Sequence, residues 1–179
     1  MLRATFTLLT GGALAQLVPL LLGPVLARLF SPEAFGLFTA FATIAASVAV
    51  VACARYEYAL PMAHDDAEAA ALLSLALRIW VGVVALSVPL AWVLHAAGRL
   101  PVAWALPLSV AAMGLLQLLM MWSNRAEAYG ALAASRFVQY AGAALLQVAL
   151  GWWLWRGSAA GADAAWALVL GPVIAVALA

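Results

Sequence analysis

Long apolar blocks separated by short polar connectors are the main pattern of this 179-residue sequence. A helix needs about 20 apolar residues to cross the hydrocarbon core of a bilayer, where it satisfies its backbone hydrogen bonds internally. Charges, prolines and glycines divide the chain into six blocks, so the pattern predicts an all-α membrane protein with six transmembrane helices. The predicted spans cover about residues 4–30, 34–54, 67–96, 102–122, 131–155 and 164–179.

The connectors carry helix-start and turn signals. Residues 31–33 read Ser-Pro-Glu, which combines a capping side chain, a proline suited to the first helical position and an acid in the first turn. In His-Asp-Asp-Ala-Glu at 64–68, either aspartate is a suitable cap, and the acids favour the positive end of a helix. The segments 98–101 and 157–163 predict turns between antiparallel spans.

The first and last blocks allow other interpretations. Arg3, an apolar stretch and the small residues at 25–27 are also compatible with a secretory signal peptide. The block is long for one, and its Pro19, Gly23 and Pro24 fit a broken spanning helix, so we expect a retained first span with a hinge at these residues. The last block stops without a cap, a charge or a polar tail, which suggests a fragment or the first half of a longer protein.

Composition supports the membrane assignment. Hydrophobic residues make up 69% of the chain, charged residues 8%, and the mean hydropathy is +1.11. Such a chain has too few polar groups to cover a water-facing surface, so the lipid bilayer is its expected environment. The net charge of +1 and the lack of basic runs argue against nucleic acid as a partner. The single cysteine, Cys53, is expected to be a small buried hydrophobe.

All the basic residues are arginines, and their positions weakly favour a cytoplasmic N-terminus. In that orientation the arginines near cytoplasmic span ends are Arg3, Arg55, Arg125 and Arg136. Those near the outer ends are Arg28, Arg99 and Arg156. The tryptophan-rich stretch 152–155 beside Arg156 is typical of an interfacial anchor.

Arg78 belongs to neither group, because it lies about eleven residues into the third block, or roughly 16 Å at 1.5 Å per residue. An ionised side chain at such a depth usually faces the bundle interior or a water-filled cavity. A structural ion pair with a neighbouring helix, or snorkelling toward the cytoplasm, remains open as an alternative.

The fifth block carries a polar stripe. At 100° per residue, Gln139, Tyr140 and Gln147 fall within about 60° of Arg136, so we expect all four on one face. Such a face is typical of a cavity lining, and interhelical hydrogen bonding is the alternative. Gln117 in the fourth block is a lone amide and fits a helix–helix contact better than a ligand site.

Residues for catalysis are scarce. His64 and His95 stand at opposite ends of the third block, with no further ligand at metal spacing. The sequence contains no phosphate-binding glycine loop and no nucleophile elbow. We therefore expect no enzymatic activity, no metal and no cofactor.

An ordered set of short motifs resembles a known family. Gly-Gly at 11–12 and Gln16 precede Pro24 and Arg28, and Ser-Pro-Glu-Ala-Phe-Gly follows at 31–36. Further along come Arg-Tyr-Glu-Tyr-Ala-Leu at 55–60, Asp-Asp-Ala-Glu-Ala-Ala at 65–70 and Asn-Arg at 124–125. In this order the motifs resemble the N-terminal half of polysaccharide-export flippases, the Wzx-like branch of the multidrug/oligosaccharidyl-lipid/polysaccharide superfamily.

The resemblance implies that the six helices form the N-terminal lobe of a two-lobed transporter of the bacterial inner membrane. Its substrate would be an undecaprenyl-pyrophosphate-linked oligosaccharide, moved by alternating access from the cytoplasmic to the periplasmic leaflet for surface polysaccharide biosynthesis. Polysaccharide polymerase machinery is an implied partner. Because this chain covers only one lobe, autonomous transport is not implied.

Arginine offers phosphate a permanent charge and a bidentate contact. Candidate substrate contacts are therefore Arg78, Arg125 and Arg136, with Gln139, Tyr140 and Gln147 along the stripe. We assign a gate or coupling role to Arg55 and Glu57, in which Glu57 either accepts a proton or binds a coupling cation, or the two side chains clamp the cytoplasmic mouth.

Other functions fit the same sequence. Neighbouring branches of the superfamily give a peptidoglycan lipid-precursor flippase or a multidrug/cation antiporter. A membrane enzyme acting on lipid-linked sugars would need clustered acids, and those at 65–68 already serve a helix start. An inactive truncated half-transporter is the remaining alternative.

Overall fold

The computed structural model describes residues 2–98, 100–156 and 164–179, with side chains from Ala15 onward. This part of the chain is helical and contains no strand, which confirms the predicted all-α class. The helices are α1 (Leu2–Leu29), α2 (Pro32–Val50), α3 (Asp66–Ala96), α4 (Leu106–Arg125), α5 (Tyr129–Phe137), α6 (Ala143–Arg156) and α7 (Ala165–Leu178). Short 3-10 helices occupy Tyr56–Met62 and Ala103–Ala105, and a π-helical segment, Val138–Gly142, joins α5 to α6.

Four helices in the described part are long and apolar enough to cross a membrane, and they match the second to fifth predicted spans. They are Pro32–Val50, Asp66–Ala96, Ala103–Arg125 and Tyr129–Arg156. The first predicted span corresponds to α1, whose part with described side chains is the apolar segment Ala15–Leu29, and the sixth to the short apolar helix Ala165–Leu178. The structure thus supports a multi-pass membrane protein with four candidate spans, and the number six stays a prediction.

The predicted helix starts are confirmed at atomic detail. The Ser31 hydroxyl accepts a hydrogen bond from the backbone N–H of Ala34 at 3.2 Å, and α2 begins at Pro32. At α3 the Asp65 carboxylate accepts from the N–H of Glu68 at 2.7 Å, while the Glu68 carboxylate accepts from the N–H of His64 at 2.8 Å. These reciprocal bonds satisfy backbone donors that the first turn of a helix leaves free. The predicted turn at 157–163 lies outside the described residues.

Two predictions about the first two spans are wrong in detail. The first helix is not broken, since α1 runs without interruption through Pro19 and Pro24; proline already has a helical φ, and helices in membranes tolerate its missing N–H. The second span ends at Val50 rather than at residue 54. Val51 and Ala52 donate to the carbonyls three residues earlier, and Ala54 and Arg55 then adopt left-handed conformations, so the chain does not continue as a helix.

Residues 43–132 form one compact unit. Its centre is a cluster in which Cys53, Leu60, Ala76 and Leu118 are almost fully buried. Gly114 permits close packing there, because a Cβ added to it would lie 2.8 Å from Trp80 Cδ1 and 2.9 Å from the Ala52 Cβ. Small residues of this kind let helices approach closely in membrane proteins.

Residues 1–42 and 133–179 form a second compact unit. Here α6 packs closely on α7, where a Cβ on Gly171 would come within 2.7 Å of the Gln147 side chain and 3.2 Å of the Ala143 carbonyl oxygen. On α6, Gly151 lies against the Phe30 ring, which would be 2.7 Å from an added Cβ. Both glycines sit where neighbouring atoms leave no room for a side chain.

Candidate functional site

The pairing of α3 with α4 fixes the depth of Arg78 within its unit. α4 has 20 residues, or about 30 Å, which matches the hydrocarbon thickness. Arg125 at its C-terminal end binds Asp66 at the start of α3, so these two ends lie at the same level. Trp80 lies about 21 Å along α3 from Asp66 and donates from Nε1 to the carbonyl of Ala111 at 3.1 Å.

Ala111 stands five residues after Leu106, or about 8 Å from the opposite end of α4. Subtracting this from the 30 Å length of α4 puts Trp80 about 22 Å from the Arg125 end, in agreement with the distance measured along α3. Arg78, two residues earlier, is therefore about 18 Å from that end. If α4 spans the bilayer, Arg78 lies deep in the hydrocarbon layer and not at its edge.

The Arg78 side chain is exposed on the surface of its unit. Its neighbours at positions i−3 and i+3, Leu75 and Val81, are exposed as well, at 39% and 58%. Within the described part of the chain, Arg78 has neither an ion pair nor a hydrogen bond. The ion pair with a neighbouring helix that the sequence left open therefore does not occur among these residues.

Arg125, unlike Arg78, forms several hydrogen bonds within its unit. Its Nη1 donates to the carbonyls of Leu60 at 3.3 Å and Ala63 at 2.8 Å. Its Nη2 donates to the carbonyl of Asp65 at 3.2 Å and to the Asp66 carboxylate at 3.0 Å. The guanidinium thus ties the segment between the 3-10 helix Tyr56–Met62 and α3 to the end of α4. The sequence predicts Arg125 as a substrate contact, and in the structure both of its Nη atoms donate to this clamp.

Arg55 and Glu57 do not pair with each other. The exposed Arg55 guanidinium lies over the Tyr58 ring, 5.3 Å from its centroid, while the Tyr58 hydroxyl accepts a hydrogen bond from Gln117 at 2.9 Å. Glu57, by contrast, is only 3% exposed. The expected Arg55–Glu57 clamp is therefore absent. Arg55 lies on the surface, whereas Glu57 is buried.

The Glu57 carboxylate is the least satisfied polar group in the described residues. Its Oε2 atom is buried and has no hydrogen-bond partner among them. Buried polar atoms are nearly always paired, so an unpaired one requires an explanation. Nothing in the sequence marked Glu57 as buried except its apolar neighbours Cys53 and Leu60, at positions i−4 and i+3.

Cys53, beyond the end of α2, is 2% exposed, as the sequence predicted. Burial, and secondly the nearby charge of Glu57, raise the pKa of its thiol to about 11. A thiol with such a pKa stays protonated at neutral pH and is a poor nucleophile and metal ligand. Among the described residues no cluster of three or more histidine, cysteine or acidic side chains could hold a metal ion.

The polar stripe of the fifth span does not form one face. Arg136 and Tyr140 are exposed and Gln139 is partly exposed, whereas Gln147 is 8% exposed and donates to the carbonyl of Leu168 at 2.8 Å. The π-helical segment Val138–Gly142 is the physical reason. A π turn takes more residues than an α turn, so every position after it is displaced around the axis relative to a uniform helix. Gln147 is consequently a helix–helix contact to α7.

The end of α6 carries an aromatic and cationic surface. Trp152 and Trp155 lie 5.6 Å apart between ring centroids, and the Arg156 guanidinium is 5.4 Å from the Trp152 ring. Trp152, Trp153 and Trp155 are about half to two-thirds exposed. This arrangement suits the polar–apolar boundary of a bilayer, as the sequence predicted.

Of the three hinge candidates in α1, Gly23 has free space around it, since an added Cβ would meet no atom within 4 Å. Pro24 is exposed and Pro19 partly so. A glycine and a proline on the surface of a continuous helix are compatible with bending, and the hinge stays a prediction.

Comparisons of the chain with protein-family models, with curated proteins and with solved structures found no match.

Proposed function

We propose that this chain is one lobe of a membrane transporter that moves an undecaprenyl-pyrophosphate-linked oligosaccharide across the bacterial inner membrane by alternating access. The observation that carries the proposal is Arg78. It is exposed about 18 Å along α3 from the Arg125 end of its unit, without an ion pair or hydrogen bond to a described residue.

Lipid is an unfavourable environment for such a side chain. Placing a charged arginine at the centre of a spanning helix costs about 2.5–3.5 kcal/mol even on the most lenient scale. An arginine without a partner at this depth is accounted for if its face borders a water-filled path. Phosphate oxygens suit a guanidinium there, since they accept two parallel hydrogen bonds from it.

The second unit also carries polar side chains that form no hydrogen bond with a described residue. Arg136, Gln139 and Tyr140 lie on or beside the π-helical segment and reach the surface. Amide, phenol and guanidinium groups of this kind hydrogen-bond sugar hydroxyls as readily as phosphate. Within this unit alone, they suit a substrate that has both an anionic and a carbohydrate part.

A peptidoglycan lipid-precursor flippase is the second candidate, because its substrate has the same isoprenoid pyrophosphate. Arg78 serves either substrate, so this side chain does not separate the two. A cation antiporter is less well supported by an exposed deep arginine, which repels cations.

The test replaces Arg78 by alanine, and separately by lysine, in the native gene, with Arg28→Ala as a matched exposed arginine at a helix end. We expect loss of surface polysaccharide in Arg78→Ala and normal levels in Arg28→Ala. Arg78→Lys should retain partial activity, because a lysine ammonium keeps the charge but lacks the planar guanidinium that binds phosphate with two parallel hydrogen bonds. Membrane abundance of each variant is measured by immunoblot.

Normal polysaccharide in Arg78→Ala at normal abundance would remove the basis of the proposal. Arrest of cell growth with accumulation of the peptidoglycan precursor would favour the second candidate.

A further inference from the structure

We propose that Gln147 is the latch of a hinge in α7 at Gly171 and Pro172. Pro172 lies inside α7 and has no backbone N–H, so the carbonyl four residues earlier, that of Leu168, lacks its helical donor. Leu168 is 0% exposed, so bulk water does not reach this carbonyl. The Gln147 side chain donates to it from Nε2 at 2.8 Å. A side chain of α6 thus replaces the hydrogen bond that the proline of α7 removes.

Close approach of the two helices makes this contact possible. A Cβ on Gly171 would lie 2.7 Å from the Gln147 Cγ atom and 3.1 Å from the Gln147 backbone nitrogen. The glycine therefore lets α6 come near enough to the proline for the amide to reach the Leu168 carbonyl. Glutamine, glycine and proline act together at one point of the α6–α7 contact.

The same residues make this point a hinge. A proline inside a helix favours bending, because it removes one bond of the ladder and its ring crowds the preceding turn. Gly171 beside it adds backbone freedom. In an uninterrupted α-helix the missing bond would be intrahelical and independent of any neighbour. Here the donor belongs to α6, so α7 is held straight at Pro172 only while Gln147 stays in place.

The π-helical segment Val138–Gly142 sets the direction in which Gln147 points. A π turn holds about one residue more than an α turn, so conversion to α-helical geometry would rotate Gln147 by about 100° relative to α5. That rotation would take the amide away from the Leu168 carbonyl. The segment also packs on α7, since a Cβ on Gly142 would lie 3.6 Å from the Ala175 Cβ. A change in this segment would therefore release the latch.

The candidate substrate contacts Arg136, Gln139 and Tyr140 lie on or beside this segment. A ligand held by them would act on the part of the helix that positions Gln147. Such coupling of the latch to substrate movement rests on the proposed function, whereas the latch itself does not.

A double-mutant cycle on the purified chain in detergent tests the latch, with hydrogen exchange of the α7 amides as the readout. Gln147→Leu removes the donor, and Pro172→Ala restores a backbone N–H to the Leu168 carbonyl. We expect Gln147→Leu to speed exchange by about 3- to 30-fold, the factor that corresponds to one interhelical hydrogen bond in a membrane bundle. Pro172→Ala should slow exchange, and in the double variant the glutamine change should have little further effect.

Nitroxide labels on Leu145→Cys and Leu178→Cys measure the bending itself. Both positions are exposed, one on α6 and one beyond the hinge on α7, and the buried Cys53 stays unlabelled. The spread of distances between the labels should widen in Gln147→Leu and narrow in Pro172→Ala.

Pro89→Ala is the matched control, because Pro89 also lies inside a helix, α3, yet no described side chain donates to the carbonyl four residues before it. Combined with Gln147→Leu, it should leave the effect of the glutamine change undiminished. Circular dichroism checks that each variant is folded. If Gln147→Leu is not, Gln147→Met, which keeps the length of the side chain and loses the amide, takes its place.

An effect of Gln147→Leu that is as large with Pro172→Ala as without it would overturn the proposal, since the bond would then be an ordinary helix–helix contact. An unchanged spread of label distances in Gln147→Leu would overturn it as well, because α7 would not bend at this point. Since neither readout needs transport, a positive result stands even if Arg78→Ala leaves polysaccharide export intact.

Discussion

Replacing Arg125 by alanine removes a clamp and should destabilise the unit formed by residues 43–132. Its two Nη1 bonds, at 3.3 Å to Leu60 and 2.8 Å to Ala63, are partly buried. A hydrogen bond from a charged donor contributes about 1.5–3 kcal/mol. Taking the lower value for each, because the site is partly hydrated and one bond is long, gives a loss of about 3 kcal/mol. The bonds of Nη2 are exposed, and water replaces them.

For a chain of this size that loss lowers the unfolding midpoint by about 6–12 °C. Thermal unfolding in detergent followed by circular dichroism measures it. Limited proteolysis measures the local effect, since the segment between the 3-10 helix and α3 should be cleaved faster in Arg125→Ala. Arg125→Lys should be intermediate, because one ammonium group cannot reach all the acceptors of a guanidinium fork.

Asp66→Asn is the matched control. The Asp66 side chain is fully exposed, so its ion pair with Arg125 is screened and its removal should change the midpoint little. An unfolding midpoint for Arg125→Ala within about 2 °C of the wild type would refute the stabilising role of this clamp. A substrate contact would then be the better explanation for Arg125. A loss in Asp66→Asn as large as in Arg125→Ala would show that the ion pair, and not the carbonyl bonds, holds the segment.

Three further predictions concern packing and the thiol. Gly114→Ala should lower the free energy of unfolding by about 1–3 kcal/mol, because the added Cβ would lie 2.8 Å from Trp80 Cδ1. Gly36→Ala is the control and should not lower it, since an added Cβ meets no atom within 4 Å. Denaturation in detergent compares the two variants. Gln147→Leu should cost about 0.6–2 kcal/mol through the lost bond to α7, by the same measurement. Cys53 should resist maleimide at pH 8 until the chain is unfolded. With its thiol pKa raised from 9.0 to about 11, the folded state binds more protons between these values, so stability should fall as the pH rises through them.

The helix pattern was predictable because it depends on local signals. Apolar length placed the second to fifth spans. A cap at Asp65 or Asp66 was predictable, because an acid at the start of a helix satisfies backbone donors wherever the helix packs, and the structure places the cap at Asp65. The end of α2 could not be predicted from the sequence. The helix is followed by left-handed conformations at Ala54 and Arg55, and neither alanine nor arginine is a residue type that predicts such a conformation.

The candidate site was only partly predictable, for a related reason. The depth of Arg78 follows from counting residues, and the α3–α4 pairing gives a similar value. The roles of Arg125 and Gln147 depend on which carbonyls lie opposite them, and residue type does not reveal that. The π-helical segment Val138–Gly142 has no recognised sequence signal in this chain, yet it displaces Gln147 from the face that a uniform helix would give it.

Free donors separate the candidate substrate contacts into two groups. Gln147 and the Nη1 atom of Arg125 donate to backbone carbonyls, so a ligand would have to break a buried or partly buried hydrogen bond to reach them. Arg78, Arg136 and Tyr140 reach the surface, and the described residues offer them no hydrogen bond or ion pair, so a ligand displaces only water. Binding energy for a phosphate or a sugar is therefore available from the second group.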